Sequence, residues 1–223
     1  MPPMKTAALI FDMDGTLVDS IPVHKRAWTT FAAQHGIVLD ADEFLGRING
    51  RNGTECNEAL FGRSFTEEDA LRLTNDKEAI YRELMAQDFR AVPGIGEFVA
   101  AGAARGLRIG VGSAGDRHNL AFALERLALR PAPQAVVGGD EGLPGKPEPD
   151  IFLEVARRLG VAPADCIVFE DAPFGIESAR RAGMRAVAVC TTHTREELAG
   201  PHVLAAVDDY RALLLNRFLE TLP

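Results

Sequence analysis

The chain is poor in cysteine. It has three in 223 residues, Cys56, Cys166 and Cys190, and none forms a Cys-x-x-Cys pair. That spacing argues against a disulfide framework, and a reducing, cytoplasmic setting is the expectation. There is no basic block: 24 Lys and Arg stand against 32 Asp and Glu, for a net charge of −8. A nucleic acid or a membrane surface is therefore not expected as the partner. No apolar run approaches the ~18 residues of a membrane span. The opening stretch MPPMKTAALIFDMDG lacks a signal-peptide pattern, because acidic residues follow its short apolar run at once. Internal repeats and low-complexity segments are missing too. What remains is ordinary, 47% hydrophobic and 25% charged. That composition suits one large domain, or a domain carrying a smaller inserted one, and a locally positive site for a small anion stays open.

Strand and helix patterns alternate from about residue 92 onward. Short apolar runs closed by Gly or a polar residue predict strands at Leu107–Gly112, Ala135–Gly138, Cys166–Glu170 and Ala186–Cys190. Helical patterns fall between or before them, at Ile95–Ala104, Arg117–Leu127, Asp150–Leu159 and Phe174–Ala182. Gly106, Gly160 and Gly183 follow three of these helices as C-terminal glycines do. With a first strand at Ala7–Phe11, the alternation predicts an α/β fold with a parallel, Rossmann-like sheet and helices on both faces. Residues 18–91 differ. They read as helical at Pro22–His35, Ala41–Leu45, Gly53–Leu60 and Glu67–Gln87, with no good strand candidate. The expected organisation is a core domain of residues 1–17 and 92–223, with residues 18–91 inserted as a small helical domain.

In open parallel sheets, ligands bind beyond the carboxyl ends of the strands. The first strand ends in Asp12-Met13-Asp14-Gly15-Thr16 and the second in Gly112-Ser113-Ala114-Gly115. The loop after the third carries Gly145-Lys146-Pro147, with prolines that stiffen it, and the fourth ends in Glu170-Asp171. Carboxylates gathered at one edge need a cation. Oxygen donors with no Cys or His at ligand spacing favour Mg²⁺ over Zn²⁺. Lys146 and Ser113 remain as donors for an anion, and a phosphoryl group fits that set. One Asp can then act as nucleophile and the other as acid and base.

These stretches resemble the four motifs of the haloacid dehalogenase superfamily, in its phosphatase and phosphomutase branch. Asp12-Met13-Asp14-Gly15-Thr16 matches D-x-D-G-T, Ser113 the second motif, Lys146 in Gly145-Lys146-Pro147-Glu148-Pro149 the third, and Glu170-Asp171 in VFEDAPFGIESARRAGM the fourth. The order and spacing cover the whole α/β portion. The helical insert is similar to the small cap of the β-phosphoglucomutase-like subgroup, which includes sugar-phosphate and polyol-phosphate phosphatases. The resemblance implies Asp12 as nucleophile and Asp14 as acid/base. It implies Ser113, Ala114 and Lys146 around the phosphoryl group. Mg²⁺ would be held by Asp12, the main-chain carbonyl of Asp14, and Asp171, with Glu170 as a ligand or neighbour of the ligands. Asp12 is expected to stay ionised beside the metal and Asp14 to hold a proton for part of the cycle.

In the insert, His24 matches the histidine that in this subgroup helps cap closure engage the acid/base. Lys77 and Tyr81 match a K-x-x-x-Y pair at i, i+4 spacing. Asn49-Gly50-Arg51 falls in the loop that reaches over the site. The phosphoglucomutase pattern has Lys-Gly there with an Arg three residues beyond the Gly, whereas Gly53 stands at that place here. Arg51 remains as the candidate cation, and His118 and His193 read as surface residues. Asp171 is also a candidate cap for the helix beginning near Pro173. The expected activity is Mg²⁺-dependent hydrolysis of a small phosphomonoester, a sugar, polyol or similar metabolite phosphate, by a monomer or weak dimer. A phosphomutase of the β-phosphoglucomutase type is the alternative. A phospho-accepting regulatory module fits less well, because such modules are about half this length.

Overall fold

The computed structural model describes residues 5–48, 51 and 53–223. Six parallel strands form one sheet: β1 (Ala8–Phe11), β2 (Arg108–Gly112), β3 (Ala135–Val137), β4 (Cys166–Glu170), β5 (Arg185–Val189) and β6 (Val203–Val207). Their order is β3-β2-β1-β4-β5-β6, so β1 lies between β2 and β4. Every residue of β1 is buried, as a strand covered on both faces requires. Side-chain alternation divides its four residues between two cores. Leu9 and Phe11 pack with α5 (Ile95–Ala104), α6 (Arg117–Leu127) and α9 (Tyr210–Leu215). Ala8 and Ile10 pack with α7 (Asp150–Leu159) and α8 (Pro173–Arg181).

The helices begin and end for local reasons. In α6, the Asp116 carboxylate accepts the N–H groups of His118 and Asn119, both at 2.8 Å. At the end of α7, Gly160 adopts a left-handed conformation with φ +65°, which glycine takes without strain. The helix predicted near Pro173 begins there, but the Asp171 carboxylate does not cap it. Its N-cap is Ala172, whose N–H donates instead to the Glu170 carboxylate at 2.7 Å.

The described residues between 18 and 91 form four helices: α1 (Ile21–Gln34), α2 (Ala41–Ile48), α3 (Gly53–Phe61) and α4 (Glu67–Asp88). They bury a cluster of their own around Trp28, Phe31, Phe44, Ile48, Cys56 and Leu73. The 22-residue α4 opens with Thr66 accepting the Asp69 N–H and with three acidic residues in its first turn. The chain enters and leaves this layer side by side. Val18 and Ala91 form an antiparallel bridge, flanked by bonds from Asp19 N–H to the Arg90 carbonyl and from Val92 N–H to the Leu17 carbonyl. Val23, Ala27, Tyr81 and Met85 of α1 and α4 join the core on the Phe11 side of the sheet. Among the described residues, no helix is long and apolar enough to cross a membrane.

The stretch past residue 190 lies beyond the elements that the sequence pattern predicts. It holds β6 and α9. β6 (VLAAV) is a short apolar run without alternation, an edge strand paired only with β5 and mostly half-buried, with Leu204 44% exposed. α9 has only six residues, too few for helical periodicity to register.

Phe11 and Phe169 stack at 4.6 Å between ring centroids, directly below the strand ends. Phe98 meets Phe169 edge-on at 5.4 Å, and Tyr210 closes the group. Phe98→Ala should lower the unfolding free energy in urea by about 3–5 kcal/mol, the usual cost of emptying a buried aromatic site. Val38→Ala, at a fully exposed position, should shift it by less than ~0.5 kcal/mol.

Candidate active site

Asp12 is the first residue beyond β1, and its N–H continues the ladder to the Phe169 carbonyl at 3.0 Å. Its buried carboxylate lies 2.5 Å from the Lys146 ammonium, which also reaches Glu170 at 2.7 Å. Asp171 accepts a hydrogen bond from the Thr16 hydroxyl on Oδ1 at 3.3 Å, while its Oδ2 is buried with no partner. Two glycines make the room. A Cβ on Gly15, where φ is +76°, would sit 2.1 Å from Asp171 Oδ2, and one on Gly175 would sit 1.8 Å from Glu170 Oε1. Asp12, Glu170 and Asp171 each turn an oxygen to a common point, all within 4.8 Å of one another. Three hard oxygen donors, one of them orphaned, are what a small divalent cation such as Mg²⁺ takes. The residues present fit that ion.

Ser113 is buried just beyond β2, and its hydroxyl accepts the Gly115 N–H at 3.0 Å. Ser113 and Ala114 line the same cleft as Asp12, Asp14, Lys146, Glu170 and Asp171. The cleft has a volume of about 560 Å³ and is closed from the other side by His24, Arg51 and Lys77 of the helical layer. Arg51 also lies over the Phe174 ring of α8 at 5.8 Å. Asn49 and Gly50 lie outside the described residues.

Asp14 points away from the carboxylate cluster. Its Oδ1 accepts from the Ser20 hydroxyl at 2.6 Å and the Tyr81 hydroxyl at 3.2 Å, and meets His24 Nε2 at 3.1 Å. Met13 between the two acids is fully buried in the sheet core. Ser20 stands at the N-cap of α1, yet its hydroxyl makes no capping bond and bonds Asp14 instead. Lys77, which reads as a solvated lysine in isolation, is 2% exposed and sits 2.9 Å from His24 Nδ1. An ammonium can only donate, so Nδ1 accepts and the ring hydrogen on Nε2 is directed to Asp14. Tyr81 stacks on His24 at 4.0 Å. His193 is not a free surface residue, because its Nδ1 meets the Asp171 carbonyl at 3.0 Å.

The two aspartates titrate in opposite directions. Burial pushes Asp12 up to about 8; Glu170 and Asp14 add to the shift and Lys146 opposes it. Burial would raise Asp14 too, but the His24 and Ser20 contacts and the nearby Lys77 charge hold it down to about 2. Asp171 is pushed well above the usual carboxylate range, first by burial and then by its acidic neighbours. Burial works against the charge of Lys146, yet Asp12 and Glu170 raise it above the ordinary lysine value. In the metal-free site Asp12 is the acid with the raised affinity for a proton and Asp14 the ionised one; the ionised Asp12 expected from the sequence is that of the metal-bound site. Without a cation, one lysine does not balance three buried carboxylates, so the cluster retains protons.

A pH dependence follows. The folded metal-free protein holds a proton on Asp12 up to about pH 8, while the unfolded chain releases it near its ordinary value of 3.8. Folded protein binds more protons in that window, so this group's contribution to stability falls as pH rises from about 4 to 8. Thermal melts in EDTA should show that decline. Asp12→Asn should flatten it and be the more stable protein at pH 8, and Mg²⁺ should stabilise the parent chain more at pH 8 than at pH 5.

A profile of haloacid dehalogenase-like hydrolases matches residues 6–183. The chain is 35% identical over 183 residues to the fructose-1-phosphate phosphatase YqaB of Escherichia coli strain K12, covering 82% of this chain and 96% of that one. It is 35% identical over 191 residues to the β-phosphoglucomutase of Bacillus subtilis strain 168, covering 82% of each. Among solved structures, a β-phosphoglucomutase from Clostridium difficile superposes with a TM-score of 0.84 at 29% identity, over 96% of both chains. With the extent of these matches and the four motifs converging on one cleft, the chain belongs to the haloacid dehalogenase-like hydrolase family and is an enzyme.

Proposed function

We propose that this enzyme is a Mg²⁺-dependent phosphatase that hydrolyses a small sugar or polyol phosphate through an aspartyl-phosphate on Asp12. The observation that carries this is the divergence of Asp12 and Asp14. Two residues apart, one faces Lys146 and the carboxylate cluster, and the other faces Ser20, His24 and Tyr81. Asp12, Asp171 and the main-chain carbonyl of Asp14 would hold Mg²⁺, with Glu170 beside them. When bound, the ion supplies the positive charge that keeps Asp12 ionised and neutralises phosphoryl oxygens.

Lys146, the Ser113 hydroxyl and the Ala114 N–H bind and orient the phosphoryl group. An Asp12 oxygen forms the new bond to phosphorus as the ester oxygen leaves. Asp14 gives that oxygen its proton. The free site holds Asp14 as an anion, and the negative phosphoryl group entering beside it raises its proton affinity. In the second half, Asp14 takes a proton from the attacking water, phosphate leaves and Asp12 is restored. Residues 18–91 act as a cap over a core of residues 1–17 and 92–223. Arg51 contacts the part of the substrate remote from phosphorus.

Hydrolysis is favoured over phosphoryl return because a mutase must grip two phosphates. Lys146 and Lys77 are already held by carboxylates, which leaves Arg51 as the remaining cation among the described cleft residues. Asn49, Gly50 and Asn52 are neutral. The mutase reading draws support from His24 beside Asp14 and from the phosphoglucomutase relatives. Three free cysteines and a metabolite substrate support a cytoplasmic setting.

Phosphate release should be measured on phosphorylated sugars, polyols, nucleotides and glycolate, with and without Mg²⁺. Turnover is expected on one or more sugar or polyol phosphates, to be lost in EDTA and to be abolished by Asp12→Asn. Activity retained in either case overturns the mechanism. Isomer formation from β-glucose 1-phosphate faster than phosphate release would establish the mutase instead.

A further inference from the structure

A second set of polar contacts joins the helical layer to the sheet layer, away from the carboxylate cluster. At its centre is Asn119, in the first turn of α6 and 2% exposed. Its Nδ2 donates to Glu78 Oε2 at 2.6 Å, and its Oδ1 accepts from Arg82 at 3.0 Å. Both partners are on α4. A carboxylate only accepts and a guanidinium only donates, so just one orientation of the amide satisfies both. From Glu78 the contacts continue without a break. Glu78 Oε1 accepts from Lys77 at 2.8 Å, Lys77 donates to His24 Nδ1 at 2.9 Å, and His24 Nε2 meets Asp14 at 3.1 Å. Every bond in this chain has one permitted direction, and each member from Asn119 to His24 is largely buried.

We propose that Asn119 is a positioning residue for Asp14, acting through Glu78, Lys77 and His24. It docks α4 on α6, and the docked Glu78 fixes Lys77, which in turn holds the His24 ring in register with Asp14. Among the described residues, Asn119 supplies the one hydrogen bond to Glu78 from outside α4. Losing Asn119 therefore frees Lys77 and His24 while leaving Lys146, Ser113 and the carboxylate cluster untouched. The inference rests on the proposed role of Asp14.

The test uses the full chain with Mg²⁺ and the best substrate from the panel. Asn119→Asp keeps the side-chain shape and the bond from Arg82 but places a second carboxylate against Glu78. Asn119→Ala removes both bonds. In the double variant Glu78→Gln/Asn119→Asp, donor and acceptor trade sides and the bridge can re-form. Both single variants should lose about 10- to 100-fold in kcat, a fraction of what acid–base catalysis supplies. KM and the inhibition constant for inorganic phosphate should stay within about threefold, because Lys146, Ser113 and Ala114 keep their places.

The chain's one tryptophan gives a readout independent of turnover. Lys77 lies 4.9 Å from the Trp28 ring centroid, so a displaced ammonium changes Trp28 emission. The double variant should regain at least about tenfold in kcat over Asn119→Asp, together with the parental emission. The proposal is overturned if kcat is unchanged, if KM rises in step with unchanged emission, or if the double variant is no better than Asn119→Asp. If the parent chain turns over no phosphomonoester, the proposed function fails by itself, while the emission arm still decides whether Asn119 seats Lys77.

Discussion

One buried ammonium faces two buried carboxylates, with a third close by, and the site is organised around that imbalance. Lys146 neutralises part of the charge of Asp12 and Glu170 but does not reach Asp171 Oδ2. Unbalanced charge at this depth is costly, because the surrounding protein screens it far less than water does. The site can relieve it by taking up protons or by taking up a cation. The upward shifts of Asp12 and Asp171 mark the first response. The convergence of three oxygen donors, with Gly15 and Gly175 leaving room for them, prepares the second. Under the proposed mechanism, this charge balance makes Asp12 usable as a nucleophile only with a cation beside it.

Asp14 escapes the same fate because the chain turns between the two acids. Met13 is driven into the core, and the carboxylates on either side of it enter different surroundings. Around Asp14 the partners are a hydroxyl from the start of α1, a phenol and an imidazole, and a lysine stands behind the imidazole. Two of those groups, Tyr81 and Lys77, belong to α4 and so to the helical layer. The charge state of Asp14 therefore depends on that layer being seated, whereas the Lys146 cluster is built from the sheet's own strand ends and loops. The surroundings of the two acids are therefore set by different parts of the fold.

Much of this was legible beforehand. β1 declared itself by an apolar run ending in acids, and the glycine after α7 marked that helix's end. The residues gathered at the carboxyl edge could be named because parallel topology sends every strand end to one side. Other features left little trace. β6 is half-exposed at the sheet edge and has no period to detect. Ser20 stands just before α1, where a hydroxyl usually caps, so nothing in the sequence marks its bond to Asp14. Asp171 looked like a cap for α8 on similar grounds, and the backbone made Ala172 the cap. Glu78 and Asn119 carry no motif, since one polar side chain on a helix resembles any other until its partner 41 residues away is known.

The sequence by itself determined the fold class, the inserted helical layer and the chemical types available at the site. Those follow from periodicity, turn residues and motif spacing, which are local properties of the chain. Only the tertiary structure decided which acid lies in the carboxylate cluster and which lysine faces which acid. It also decided that a histidine from the insert meets Asp14. These outcomes depend on burial and on distances between residues far apart in sequence. The free energy of a charge is set by what surrounds it in space, and its place in the chain does not specify those surroundings.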